Sequence, residues 1–434
     1  MSKTYQKKTA ATNDEAVMPP LEAATIALTE IAESAREGLL ALAVGTGLQV
    51  MQAWMNADVD VLCGPRSKHN AERVAYRHGT GAGAVTLGGR RVPVQRPRAR
   101  SSDGSAELAV PAYELFSSTE LLDEMAMVRM LAGLSTRRYR VGLEPVGTEV
   151  EATAASTSTS AVSRRFVRAT ETALAELMAA DLHGLELVAL MVDGVHFGEH
   201  CCVVALGIGM DGTKHPLAVE EGSTENATLV TDLLVGLRER GLDVTRPTLV
   251  VIDGSKALRR AVLEVFDHPV IARCQLHKIR NVRDKLPERL RTTVERRIRT
   301  AYQAGSALDA EAQLTALARE LDKTHPGAAA SLREGLTETL TVLRLGVPPT
   351  LVRTLRSTNA IESMISICRD HASNVKRWHE KDMALRWCAA GMVEAGRQFR
   401  RVNGHLHLPA LRDALDRHVS AETVGAECYN KDVA

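Results

Sequence analysis

One short design occurs twice in this chain. A run of strong β-formers ends in Asp-Gly, as Ala189-Leu-Met-Val-Asp-Gly and again as Leu249-Val-Val-Ile-Asp-Gly. Short continuous apolar runs closed by a turn residue read as strands covered on both faces. A chain carrying two of them needs helices on both sides of one sheet, which restricts it to an α/β architecture.

The surrounding pattern agrees. Leu185 to Val192 predicts a first strand ending at Asp193, Cys201 to Met210 a second and Lys214 to Glu220 a third, with Asp211-Gly212 as the hairpin turn between the last two. A helix over Thr228 to Arg240, a buried strand over Thr248 to Ile252, a helix over Lys256 to Phe266 and a strand over Val270 to Cys274 follow. Three antiparallel strands, then helix, strand, helix, strand, is the order of an RNase H-like fold. No strand is predicted from Leu276 to Val347, where Pro287, Pro326 and Pro348-Pro349 break helical stretches. A helix carrying Glu362 opens after Leu355-Arg-Ser-Thr-Asn-Ala-Ile-Glu-Ser, helices continue to about Phe399, and Pro409 to His418 reads as a short last helix. The predicted fold class is therefore α/β: an RNase H-like mixed five-stranded sheet with helices, an all-helical insertion before Glu362, and a mostly helical N-terminal region.

A carboxylate at the end of a buried strand is rigidly aimed. A lone Asp-Gly is a turn by default, as at Asp211-Gly212, but two on central strands of one sheet point to metal. Phosphodiester cleavage and strand transfer need a nucleophile activated and a leaving oxygen stabilised, and two Mg2+ ions do both. Mg2+ takes hard oxygen ligands and keeps several waters, so few carboxylates suffice. Asp193 fits the bridging position, Asp253 the second and Glu362 the third; Mn2+ is expected to substitute. Glu220, Glu221 and Glu225 also stand near a strand end. Glu362 is preferred because it lies in the first turn of a helix, where the dipole favours an acid and Ser357, Thr358 and Asn359 are cap candidates.

The net charge of +1 conceals an uneven distribution. Nine Arg or Lys and one acid lie between Arg66 and Arg100, and ten bases and three acids between Arg273 and Arg299. Such local fields suit a phosphate backbone. Ala84-Val-Thr-Leu, Gly88-Gly89 and Arg90-Arg-Val-Pro-Val-Gln predict a hairpin, followed by a basic strip that offers Arg96, Arg98 and Arg100 to DNA. Ser117 to Ala132 reads as a helix, and a Thr/Ser-rich linker from Thr153 to Ser160 leads into a basic helix reaching about Ala180. This is a helix-turn-helix pattern whose last helix would offer Ser163, Arg164 and Arg168 to the major groove.

With 434 residues, 45% of them apolar and only 3% aromatic, the chain has room for several domains cored by Leu, Val, Ile and Ala. The expected division is a disordered arm over 1–20, a DNA-binding region over 21–182, a catalytic core over 183–285 and 351–420 split by a helical insertion over 286–350, and a tail over 421–434. The polar N-terminus lacks the apolar core of a signal peptide. Leu39 to Met55 is the most apolar stretch, but Thr46, Gln49 and Gln52 interrupt it, and it reads as a buried helix rather than a membrane span. Seven irregularly spaced Cys point to free thiols in a reducing, cytoplasmic setting with no membrane.

From roughly Arg96 to His418 the residues resemble the Mutator-type bacterial insertion-sequence transposases. Arg273-Cys-Gln-Leu-His-Lys-Ile-Arg-Asn281 is similar to that family's Cys-x-x-His segment with its following Arg-Asn, and Ser357-Thr-Asn-Ala-Ile-Glu-Ser363 to its Thr-Asn-x-x-Glu. Asp253-Gly, with the Gly241-Leu stretch before its strand, also fits, as do the spacings of 60 from Asp193 to Asp253 and 109 from there to Glu362. The resemblance implies recognition of terminal inverted repeats by the N-terminal region, metal-dependent cleavage and strand transfer into double-stranded target DNA through a cut or copied circular intermediate, and a working homodimer. It gives His196 no role. Arg280 is taken as a further DNA contact, and Cys274, His277, Asn281 and Asn359 as structural residues near the site. Cys274 and His277 make half a zinc site, but no second pair completes it, so no structural zinc is expected. Trp378 reads as a core anchor, with a base-stacking wedge as the alternative. Two other functions fit the same residues: a DNA-binding regulator without catalysis, and an RNase H-like nuclease without strand transfer.

Overall fold

The computed structural model describes residues 21–66, 68, 73–224, 226–378 and 382–432. The chain forms two compact units. The first runs to Leu122 and takes in Arg140–Ala161; the second takes Asp123–Tyr139 and the chain from Val162 onward.

In the first unit, strands β1 (Ala75–Leu87) and β2 (Arg90–Ser101) form the antiparallel hairpin expected from the sequence, closed at Gly88-Gly89, both at positive φ, and β3 (Glu107–Leu108) pairs with β2 on its other side. Against it packs one end of a long helix, Leu21–Cys63. Met55, Val59 and Cys63 join Ala75, Ala99, Val110 and Ala112 in a small core. The rest of that helix departs from expectation. Within the unit, Leu39 is 68% exposed, Leu42 67%, Val50 59% and Trp54 54%, and no residue from 32 to 54 is buried. The physical reason is the pattern itself: apolar residues lie all round the helix, so no single stripe faces a core. The stretch Ala32–Cys63 is long and apolar enough to cross a membrane by length and composition.

The second unit is built on a five-stranded mixed sheet. Its strands are β4 (Leu187–Phe197), β5 (His200–Gly209), β6 (Lys214–Gly222), β7 (Thr248–Ile252) and β8 (Pro269–Arg273). The spatial order is β6-β5-β4-β7-β8. The first three are antiparallel neighbours, while β4–β7 and β7–β8 are parallel. The antiparallel trio follows from short turns, Asp211 satisfying Thr213 N–H at 2.9 Å with Gly212 at φ 83°. The parallel strands need crossovers, which the helices Ala227–Glu239 and Lys256–Val265 supply. Both bury Leu and Val against the sheet.

β4 is longer than the sequence suggests. It continues past Asp193 to Phe197 because its partner β5 pairs with it throughout, Asp193 opposite Val204 and Phe197 opposite His200. Between β8 and the Glu362 helix lies a helical body with a core of its own, including Ile279, Val294, Ile298, Leu314, Leu317 and Leu332. Its longer helices are Glu288–Ala301, Ala307–Asp322 and Pro326–Arg333. The last helix begins at Leu408 and runs to Asp432, well beyond the expected end at His418.

Candidate active site

The parallel register fixes where the two aspartates stand. Leu190 pairs with Val250 and Met191 with Val251. Two residues further on, at the same level of adjacent strands, come Asp193 and Asp253, the second just past the end of β7. Each carboxylate is held by a nearby backbone amide: Gly194 N–H donates to Asp193 Oδ1 at 2.8 Å, and Ser255 N–H to Asp253 Oδ1 at 2.7 Å. Gly254 sits at φ 111°, a conformation favouring glycine, and an added Cβ would lie 3.3 Å from the Arg273 guanidinium.

The third acid arrives on the helix Asn359–His371, which packs on β4 and β5. Its apolar face (Ile361, Met364, Ile365, Cys368) is buried, leaving Glu362 in the first turn and half-buried at the sheet end. Asp193 registers the arrangement in its proton affinity. Burial, opposed by the Gly194 hydrogen bond, and then the charges of Asp253 and Glu362 push its pKa up to about 6. Arg273, the last residue of β8, is committed elsewhere: it pairs with Glu338, which Arg259 also holds at 2.7 Å. The charges that act on Asp193 are thus those of Asp253, His277 and Glu362, not that of an arginine.

His277 and Cys274 complete the surroundings. His277, taken from the sequence as a structural residue near the site, has its Nε2 3.5 Å from Glu362 Oε1. Cys274 is fully buried and caps the helix Gln275–Arg283, its Sγ accepting from His277 N–H at 3.5 Å. Burial works against its thiolate, but hydrogen bonds from His277 and Thr358 outweigh it, and the thiol pKa falls below its ordinary value. The His277 pKa rises, first through its contact with Cys274 and then, against burial, through the Cys274, Glu362 and Asp193 charges. Ligand atoms of Cys274, His277 and Glu362 lie within 4.8 Å of one another.

Other predicted residues are more scattered. Asn281 and Asn359 have exposed side chains, as do Arg280, Ser163, Arg164 and Arg168. Arg168 forms a two-pronged pair with Asp123, both contacts at 2.6 Å. In the hairpin, Arg98 grips Glu107 at 3.0 and 2.5 Å, Arg96 reaches the same carboxylate at 3.1 Å, and Arg100 is exposed. Glu221, a rival third acid, is occupied by His200 at 2.6 Å; Glu225 lies outside the described residues. Trp378 packs on Phe197 and Trp387, ring centroids 5.2 and 6.3 Å away. The residue that sequence reasoning undervalued is Thr358, noted only as a cap candidate although it opens the Thr-Asn-x-x-Glu segment.

Comparison with known proteins gives the lineage. The profile of the family described as Transposase, Mutator family, matches residues 22–401. The transposase for insertion sequence element ISRM5 of Rhizobium meliloti (strain 1021) is 27% identical over 84% of this chain and 90% of its own length. That for element IS6120 of Mycolicibacterium smegmatis is 29% identical over 67% of this chain and 88% of its own. That for IS905 of Lactococcus lactis subsp. lactis (strain IL1403) is 26% identical over 63% and 68%. A profile match across most of the chain, with transposase relatives spanning nearly their full length, places this chain in the Mutator family of insertion-sequence transposases.

Proposed function

We propose that the chain is a transposase of the three-carboxylate, metal-dependent type, which binds the terminal inverted repeats of its own element and catalyses DNA cleavage and strand transfer. The observation that supports the reading is that Asp193 and Asp253 stand at the same level of two adjacent parallel strands, while the Glu362 helix packs on β4 and the Glu362 charge, like that of Asp253, acts on Asp193. The strand order and direction support an RNase H-like core split by the helical body.

The residues fit a hard divalent cation. Burial and the charges of Asp253 and Glu362 raise the proton affinity of Asp193, a crowding that is unfavourable without positive charge to neutralise it. Backbone amides occupy one oxygen of each aspartate and Thr358 one oxygen of Glu362, which leaves Asp193 Oδ2, Asp253 Oδ2 and Glu362 Oε2 as open acceptors among the described residues. We assign these three residues as ligands for two Mg2+, with Mn2+ able to replace it. When bound, such ions activate the attacking hydroxyl and stabilise the leaving oxygen. The protein's share is orientation: the strands aim two carboxylates, the helix brings the third, and His277 sets its Nε2 3.5 Å from Glu362 Oε1. Double-stranded DNA is the partner, in a cytoplasmic homodimer. The apolar helix is read as part of the protein, since its last turns pack into the core of the first unit.

Asp193→Asn, Asp253→Asn and Glu362→Gln should each abolish Mg2+-dependent cleavage of DNA carrying the element's ends, with end binding in a gel-shift assay nearly unchanged. Cleavage by Glu362→Gln at the wild-type rate would remove Glu362 from the site.

A further inference from the structure

Thr358 occupies the N-cap of the Glu362 helix, where a threonine hydroxyl ordinarily accepts a hydrogen bond from an amide two or three residues on, worth about 1 kcal/mol. It makes no such bond. Fully buried, the hydroxyl turns instead to Glu362 Oε1, 2.8 Å away. The forgone cap needs an explanation, and the surroundings supply one.

We propose that Thr358 is the positioning residue for Glu362, and that Cys274 and His277 act through it. This inference rests on Glu362 being a metal ligand. A hydroxyl has one proton and two lone pairs. Its shortest contact is to a carboxylate oxygen, where a charge-assisted bond is strongest, so the proton goes there. Its longer contacts, 3.4 Å to Cys274 Sγ and 3.5 Å to His277 Nδ1, bring the same hydroxyl against both residues. Cys274 Sγ also accepts from Thr358 N–H at 3.5 Å, as it does from His277 N–H. One sulfur thereby joins the start of the helix after β8 to the start of the Glu362 helix. With Oε1 held by Thr358, rotation about the last bond of Glu362 is restrained, which leaves Oε2 for the metal. The Cys-x-x-His and Thr-Asn-x-x-Glu segments form one clamp, though 84 positions separate Cys274 from Thr358.

The test is direct Mn2+ binding to the full-length protein without DNA, followed by electron paramagnetic resonance, with cleavage measured in parallel. Thr358→Val removes the hydroxyl and should weaken Mn2+ binding roughly tenfold or more, the worth of a hydrogen bond to a charged group. Thr358→Ser keeps the hydroxyl and should stay near wild type. Circular dichroism monitors folding; should the valine variant not fold, Thr358→Ala takes its place. A hydroxyl-free variant that binds Mn2+ as tightly as Thr358→Ser overturns the inference, provided Glu362→Gln is weakened. If Glu362→Gln itself binds like wild type, it is the metal reading of Glu362 that fails.

Discussion

At the scale of single residues the most informative group is Asp193. Its ordinary pKa of 3.8 is raised to about 6, chiefly by burial. Between about pH 4 and pH 6 the folded protein retains a proton that the unfolded chain has released. This carboxyl therefore favours folding most below that window, and its contribution declines as pH rises through it. In metal-free buffer the stability of wild type relative to Asp193→Asn should fall between these limits, measured by denaturant unfolding at a series of pH values. A difference constant with pH would mean that Asp193 titrates elsewhere. Both aspartates were legible in the sequence because a buried strand ending in Asp-Gly is a local pattern. The link from His277 to Glu362 was not, since nothing short of the fold relates positions 85 apart.

Among the elements, the helix Thr159–Ala179 changes most in meaning. Its sequence suggested a basic surface helix free to enter a DNA groove. Its burial shows a second commitment: Val162, Arg165, Phe166, Thr170, Ala173 and Leu177 face inward, and the Phe166 ring lies 4.5 Å from that of Trp387. Arg386 reaches Thr170 Oγ1 at 3.1 Å, and Arg168 is held by Asp123. The outer face keeps Ser163 and Arg164 exposed. Phe166→Ala should lower stability by about 3–5 kcal/mol in denaturant unfolding, as for a core aromatic. Arg164→Ala should leave stability nearly unchanged and weaken binding to the element's ends more than to unrelated DNA. Equal losses on both DNAs would make Arg164 a phosphate contact. Helical periodicity was readable, but the partner that covers one face lies more than 200 positions away.

For the whole molecule, charge counts made from sequence overstate what is available. Of the nine bases between Arg66 and Arg100, Arg77 pairs with Asp60, Arg90 with Glu151, and Arg96 and Arg98 with Glu107. Arg91 is spent on the Ser117 carbonyl at 2.5 Å. Arg100, exposed and without an ion pair among the described residues, carries more of the field that phosphate would meet. Arg100→Ala should reduce the salt slope of DNA binding by about one, and Arg98→Ala by less. The five strands and the helical body were legible because period and proline breaks are local; the exposed apolar helix was not, because composition alone does not say what covers it. The chain order of the three acids has a further effect. Glu362 follows Asp253 by 109 positions, with a separately cored helical body between them. At translation rates of about 5–20 residues per second, the ribosome releases the two aspartates on the order of ten seconds before the glutamate. On the three-carboxylate assignment proposed above, a nascent chain whose sheet has formed still lacks its third ligand, so a newly made molecule could not cut the DNA beside its own ribosome until synthesis is nearly over.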